Sequence, residues 1–253
     1  LGLMVLVQTG LGVKVNGAKR WIRIPVIGIQ FQPSELAKIA VILLVAYKIC
    51  VYGKKVGTFA GMAKLLGIGA VNAAFVFFFT ENLSTAVIVF GITCIMIFVV
   101  HPKTAPFIIL AILGLILIFV GVKFFSGAMA SGAFGDSFRL GRIMVWLDPE
   151  RYSSEGGYQV MQGLYAIGSG GYFGKGLGNS AQKMVIPEVQ NDMILTVICE
   201  ELGLVGAIVI FVLFGLLLYR LMFIAQNAPD LYGSLIVTGI FAHIAIQVIL
   251  NAA

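Results

Sequence analysis

A chain of 253 residues that is 60% hydrophobic and 11% charged, with a formal net charge of +6 and a mean hydropathy of +1.03, carries more apolar surface than a soluble domain of that size can bury. A soluble globular protein is thereby excluded. A β-barrel is excluded too, because the apolar runs are continuous instead of alternating.

The predicted fold class is all-α, a polytopic transmembrane helical bundle forming a single membrane domain. With spans of about 20 apolar residues as the ruler, a truncated span covers residues 1–8. Further spans are predicted at 35–52, 64–80, 84–101, 105–125, 192–219 and 231–253. The chain opens on Leu1 inside one apolar stretch and closes inside another, without an initiator Met or a signal peptide. It reads as an internal fragment of a longer protein.

The connections 53–63, 81–83, 102–104 and 220–230 are short, whereas 9–34 and 126–191 are long and fall, by alternation, on one side of the membrane. Charge leaves the orientation open. Lys48, Lys54, Lys55, Lys64, Lys103 and Arg220 lie on or near the short-loop side and the other basic residues on the long-loop side, but the positive-inside rule applies poorly to long loops. Cys50, Cys94 and Cys199 all fall within spans and show no metal spacing. His101 and His243 are far apart, so no metal ligand set is predicted.

The first long connection holds Asn16-Gly17-Ala18-Lys19-Arg20-Trp21-Ile22 and then Gln30-Phe31-Gln32-Pro33-Ser34-Glu35-Leu36-Ala37-Lys38. Pro33, Ser34 and Glu35 suit a helix start, and Lys38 lies three residues on, within pairing distance of Glu35. Two readings stand here. One is an interfacial belt, with Trp21 at headgroup depth and Lys19, Arg20 and Lys38 snorkelling. The other is a basic groove for a phosphate-bearing lipid. Thr80-Glu81-Asn82-Leu83-Ser84-Thr85-Ala86 reads as a hairpin turn with an N-cap, or as a functional break.

The second long connection is the chain's most polar stretch. Trp146-Leu147-Asp148-Pro149 ends one element and Gly156-Gly157-Tyr158-Gln159 begins another. Gly168, Gly170, Gly171, Gly174, Gly176 and Gly178 then crowd a run that permits positive φ and close backbone approach. The run is not a P-loop, because Gly176 follows Lys175 where Ser or Thr is required. Pro187-Glu188-Val189-Gln190-Asn191-Asp192 leads straight into a span. Asp192 there is either a helix cap or, with Glu188 one turn away and Lys175 and Lys183 in the same loop, a general base. Glu200 and Glu201 follow, about 12–14 Å further along a helix. Being adjacent they point in different directions, so at least one is structural.

The motifs GAKRWI, QPSELAK, WLDPE, GGYQVMQ, AIGSGGYFGKGLGNSAQK and IPEVQNDMI followed by EELGLVG resemble the SEDS family, the shape, elongation, division and sporulation proteins of the bacterial cell wall, over nearly the whole chain. The division and sporulation branch (FtsW and SpoVE) is closer than the elongation branch (RodA). The resemblance implies a ten-span protein that polymerises peptidoglycan from lipid II at the outer face of the cytoplasmic membrane, as a peptidoglycan glycosyltransferase. Its implied partners are a class B penicillin-binding protein and other divisome proteins, not nucleic acid. The fragment would run from the end of the third span through most of the ninth, lacking the final span, and 126–191 would be the one large extracellular loop. The family's proposed catalytic aspartate falls on Asp192, and its functionally sensitive Arg, Glu and Lys fall on Arg20, Glu35 and Lys38. Trp21, Lys175, Lys183 and Glu188 complete the expected substrate-binding set. One departure stands out: where the family often has Asp, this chain has Asn82.

On that reading Asp192 takes the proton of an acceptor GlcNAc 4-hydroxyl, whose oxygen attacks the anomeric carbon of the donor MurNAc as undecaprenyl pyrophosphate departs. Arg20, Lys38 or Lys175, or a bound divalent cation, would stabilise the pyrophosphate charge. The rival readings are a lipid II flippase, with Glu200, Glu201 and His243 lining a polar path, and a non-enzymatic division scaffold.

Overall fold

The computed structural model describes residues 2–8, 12–15, 18–23, 30–130, 145, 157–184 and 193–252. The long connection at 9–34 contains a small antiparallel sheet of β1 (Gly12–Val15), β2 (Ala18–Arg23) and β3 (Gln30–Phe31), in the order β1-β2-β3. Val13 lies opposite Trp21, and Ile22 lies opposite Phe31. Valine, tryptophan and isoleucine fit a pleated, half-buried surface, although span-counting had no means of finding strands this short.

Eight helices are seen among the described residues: α1 (Gly2–Leu6), α2 (Pro33–Tyr52), α3 (Phe59–Thr80), α4 (Leu83–Val100), α5 (Ala105–Ala130), α6 (Tyr158–Gly170), α7 (Ile194–Gln226) and α8 (Leu231–Ala252). By length and composition α2, α3, α4, α7 and α8 can cross a bilayer, and α5 is apolar over Ala105–Gly121. α6 folds inside the region expected as one large loop.

Local chemistry fixes the helix ends. Pro33 stands at the start of α2, where its missing N–H costs nothing. Thr58 Oγ1 accepts from Gly61 N at 3.1 Å to cap α3. Asn82 Oδ1 accepts from Thr85 N at 3.1 Å to cap α4, just after Glu81 turns the chain with φ of 51°. The hairpin cap expected at Thr80–Ala86 is therefore present, and Asn82 has a structural task. Asp230 Oδ2 accepts from Gly233 N at 2.9 Å at the start of α8.

The chain forms two compact units, Leu1–Phe107 with Leu217–Leu250, and Ile108–Leu216 with Asn251–Ala253. In the first unit Val41, Ile42, Val45 and Ile49 of α2 pack with Leu65 and Val76 of α3, Val89, Ile92 and Met96 of α4, and Leu235 and Ala242 of α8. Lipid offers no hydrophobic drive between helices, so close approach at small residues does the work. Gly69 of α3 sits against Thr93 of α4, and Gly239 of α8 against Ile42 and Met96. The buried hydroxyls of Thr80 and Thr93 donate to their own helices, at Val76 O (2.6 Å) and Val89 O (3.1 Å). In the second unit α6 lies along the first turns of α7. Gly163 faces Met193 and Thr196, and a Cβ at Gly170 would run into the Cys199 carbonyl.

Candidate functional site

Two polar clusters stand out, one in each unit. In the first unit the start of α2 places Lys38 1% exposed and holds its Nζ 2.7 Å from Glu35 Oε2, whose side chain is half exposed. The two residues sit at i and i+3, so the pairing expected from their spacing is present. The ammonium has three donors and Glu35 takes one. His243, on α8, is within electrostatic reach of both Lys38 and Glu35 and of the Gln247 side chain one turn on. Its Nε2 is buried without a hydrogen-bond partner, as is Ser34 Oγ. On β2, half-buried Arg20 donates from Nη2 to the Glu81 carbonyl at 3.3 Å, while its Nε is buried and unpartnered. Trp21, also half-buried, is its strand neighbour. A buried ammonium and a half-buried imidazole among apolar helices are costly and mark a functional place by default. Donors without a partner among the described residues give these groups capacity to bind an anion.

The second cluster is a brace around a broken helix. α7 is interrupted at Gly203, with φ of 69° and ψ of −169°, a conformation open to glycine. The break opens the two helical bonds that Leu204 and Val205 would make to the carbonyls of Glu200 and Glu201. All four groups are recovered by the glycine-rich turn after α6. Lys175 N and Gly176 N donate to Glu200 O and Glu201 O, each at 2.9 Å, and Leu204 N and Val205 N donate to Gly171 O (3.0 Å) and Tyr172 O (3.1 Å). Such replacement is required because backbone groups buried against another segment must be paired. The contact is backbone to backbone, and a Cβ at Gly174 would collide with the Glu201 carbonyl. The glycine run therefore serves close approach, as expected from its composition, and its target is α7.

Glu200 closes the brace. Fully buried, its carboxylate accepts from Lys175 Nζ (2.7 Å), Ser180 Oγ (2.6 Å), Ala181 N (3.2 Å) and Gln182 N (3.3 Å). Each oxygen has two donors, so the buried charge is both paired and satisfied. This makes Glu200 the structural member of the adjacent pair. Glu201 keeps a buried Oε1 without a partner.

Of the expected site residues, Glu35 and Lys38 are brought together, and Arg20 and Trp21 share a strand in the same unit. Lys175 is engaged by Glu200, with 36% of its side chain exposed. Lys183 is exposed, and its backbone N donates to Ser180 Oγ at 3.0 Å. Asp192 and Glu188 lie outside the described residues. Sequence reasoning missed His243 as a neighbour of Lys38, Ser180 as a ligand of Glu200, and the break at Gly203. Only the last had a local signal, a lone glycine inside a helical pattern. Among the described residues no three His, Cys, Asp or Glu side chains cluster as a metal site would require.

These features define a polytopic helical membrane protein with a buried cation–carboxylate cluster and a helix broken near one end and braced by a glycine-rich turn. A family model described as cell cycle protein, FtsW/RodA/SpoVE, matches residues 1–253, and the chain belongs to that family. It is 38% identical over 252 residues to stage V sporulation protein E of Bacillus subtilis (strain 168), covering 98% of this chain and 65% of that protein. It is 36% identical over 259 residues to a probable peptidoglycan glycosyltransferase FtsW of Trichlorobacter lovleyi, covering 99% of this chain and 63% of the relative. The chain thus spans just under two thirds of the length of these relatives. Among solved structures it is similar to a chain of a peptidoglycan synthase complex described for its structural coordination of polymerization and crosslinking. The TM-score there is 0.72 at 23% identity, over 99% of this chain and 66% of that one. It is also similar to the rod shape determining protein RodA of Thermus thermophilus, with a TM-score of 0.60 at 23% identity over 99% and 62%. The structural likenesses establish the fold.

Proposed function

We propose that the full-length protein is a peptidoglycan glycosyltransferase of the bacterial cytoplasmic membrane. It transfers disaccharide-pentapeptide units from lipid II to a growing glycan strand at the outer face, in division or sporulation. The observation that carries this reading is the family match over all 253 residues, with relatives named as peptidoglycan glycosyltransferases at up to 36% identity. The Asp192 carboxylate accepts the proton of the acceptor 4-hydroxyl. The new bond forms between that oxygen and the donor anomeric carbon, and the electron pair of the breaking C–O bond leaves with undecaprenyl pyrophosphate.

Buried Lys38, oriented by Glu35, and half-buried Arg20 in the same unit support binding of the pyrophosphate. Trp21, Lys183 and Glu188 complete the contacts to headgroup and peptide. Lys175 acts first as the partner of Glu200, with its exposed side turned to solvent and ligand. A divalent cation, where one binds, would supply further neutralisation of the pyrophosphate charge, although no cluster of acidic, histidine or cysteine side chains among the described residues stands ready to hold it. The partner is a class B penicillin-binding protein. The polymerization and crosslinking ascribed to the structurally similar synthase complex support that choice.

The test is Asp192→Asn in the full-length protein, assayed for polymerisation of purified lipid II. A lost general base is expected to lower the rate by about 10²–10⁴-fold, and an undiminished rate would refute the assignment.

A further inference from the structure

The charge-free run of α7 from Leu202 to Tyr219 lies between Glu200–Glu201 and Arg220. It is about 27 Å long at 1.5 Å per residue, close to the about 30 Å of bilayer hydrocarbon. Leu204, Val205, Ile208 and Val209 within it are all exposed, as lipid-solvated side chains are. The hydrocarbon boundary therefore falls at Glu201–Gly203. The earlier part of α7 stands outside it, so Glu200 and Glu201 lie at the surface instead of deep within the bilayer. The turn after α6 is bonded by its backbone to Glu200, Glu201, Leu204 and Val205, which fixes it at the same boundary.

At that level the turn carries three large projecting side chains, Tyr172, Phe173 and Leu177, exposed by 73%, 84% and 77%. Positive φ at Gly171, Gly174, Gly176 and Gly178 and the close approach of Gly174 to Gly203 fix the backbone that bears them. A tyrosine and a phenylalanine at the hydrocarbon edge match the aromatic belt of membrane proteins, and Lys183 beyond the turn is exposed.

We propose that the turn Gly171–Gly178 is a membrane-interface anchor, with Tyr172, Phe173 and Leu177 inserted among the phospholipids of the adjoining leaflet. Phospholipid is the occupant because these side chains are exposed at the level, set by the backbone bonds to Leu204 and Val205, where the exposed apolar residues of α7 begin and need hydrocarbon beside them. The anchor holds the start of α7 at a set height, with Ile194 about 10 Å above the boundary at 1.5 Å per residue. It does not depend on which reaction the protein catalyses.

The test uses the full-length protein with its native cysteines replaced, in phosphatidylethanolamine–phosphatidylglycerol vesicles, spin-labelled at single cysteines replacing Tyr172, Phe173 or Leu177. Labels at Leu213, exposed within the span, and at Lys183 serve as references. Power saturation with oxygen and a water-soluble nickel chelate is expected to give an oxygen-to-nickel ratio at 173 and 177 below that of 213, which lies about 15 Å inside the boundary, and severalfold above that of 183. A ratio like that at 183 means water surrounds the turn. Exclusion of both reagents means a protein segment covers it. Either result overturns the proposal. Phe173→Trp offers a conservative second arm: brominated lipids should quench the emission it adds to the parent, and unquenched emission also refutes insertion.

Discussion

Glu200 and Lys38 are both buried side chains of charged type, and they solve the same problem differently. Glu200 gathers four donors from one turn and has no acceptor capacity left to offer a ligand. Among the described residues Lys38 has one carboxylate for three donors, and the nearby His243 keeps Nε2 without a partner, so the site has capacity to spare. Truncating Glu200 strands buried donors. Glu200→Ala is expected to cost about 3 kcal/mol, the lower end for a broken buried pair because Lys175 retains solvent. Glu200→Gln should cost less. Thermal unfolding in detergent checks the order of the two. Lys38→Met should instead leave the unfolding midpoint near the parent's and impair lipid II polymerisation. Equal stability losses for Lys38→Met and Glu200→Ala would argue against a binding role for Lys38. At Asn82 the side chain caps α4, and Asp caps about as well as Asn. Asn82→Asp should therefore be neutral in stability and Asn82→Ala should cost about 1 kcal/mol. This accounts for how the chain departs from its family here without losing the hairpin.

At the scale of the element, the broken α7 shows why some features were legible in the sequence and others were not. Helices α2, α3, α4 and α8 declare themselves, since a long apolar run has no other way to satisfy its backbone in lipid. Composition also shows that the glycine run after α6 favours close approach. What it approaches cannot be read locally, because the partner carbonyls of Glu200 and Glu201 lie some twenty-five residues on and any backbone supplies carbonyls. The brace predicts that Gly203→Ala and Gly174→Ala, each placing a Cβ against backbone at a positive φ, will loosen the turn. Limited proteolysis between residues 171 and 183 should become faster in both variants. Gly168→Ala, where a Cβ meets open space, should leave it unchanged.

For the molecule as a whole, the first unit provides a check on sidedness. Arg20 reaches the Glu81 carbonyl, and Gly57 lies against Pro102, so β2 and the α3–α4 turn share one face and the α2–α3 and α4–α5 turns share the opposite one. With the first face outside, Glu81→Cys should be labelled by an impermeant maleimide in intact cells and Lys55→Cys only after permeabilisation. The reverse pattern would turn the protein over. Hydropathy forces helices into lipid, and the motifs from GAKRWI to EELGLVG mark the family; both are legible in the chain because they are properties of residues near one another. That His243 comes within electrostatic reach of Lys38, and that the turn at 171–176 replaces the hydrogen bonds α7 loses at Gly203, follows from the folded structure alone. Those pairings join distant segments through backbone groups every residue carries and through side chains whose partners local spacing does not encode.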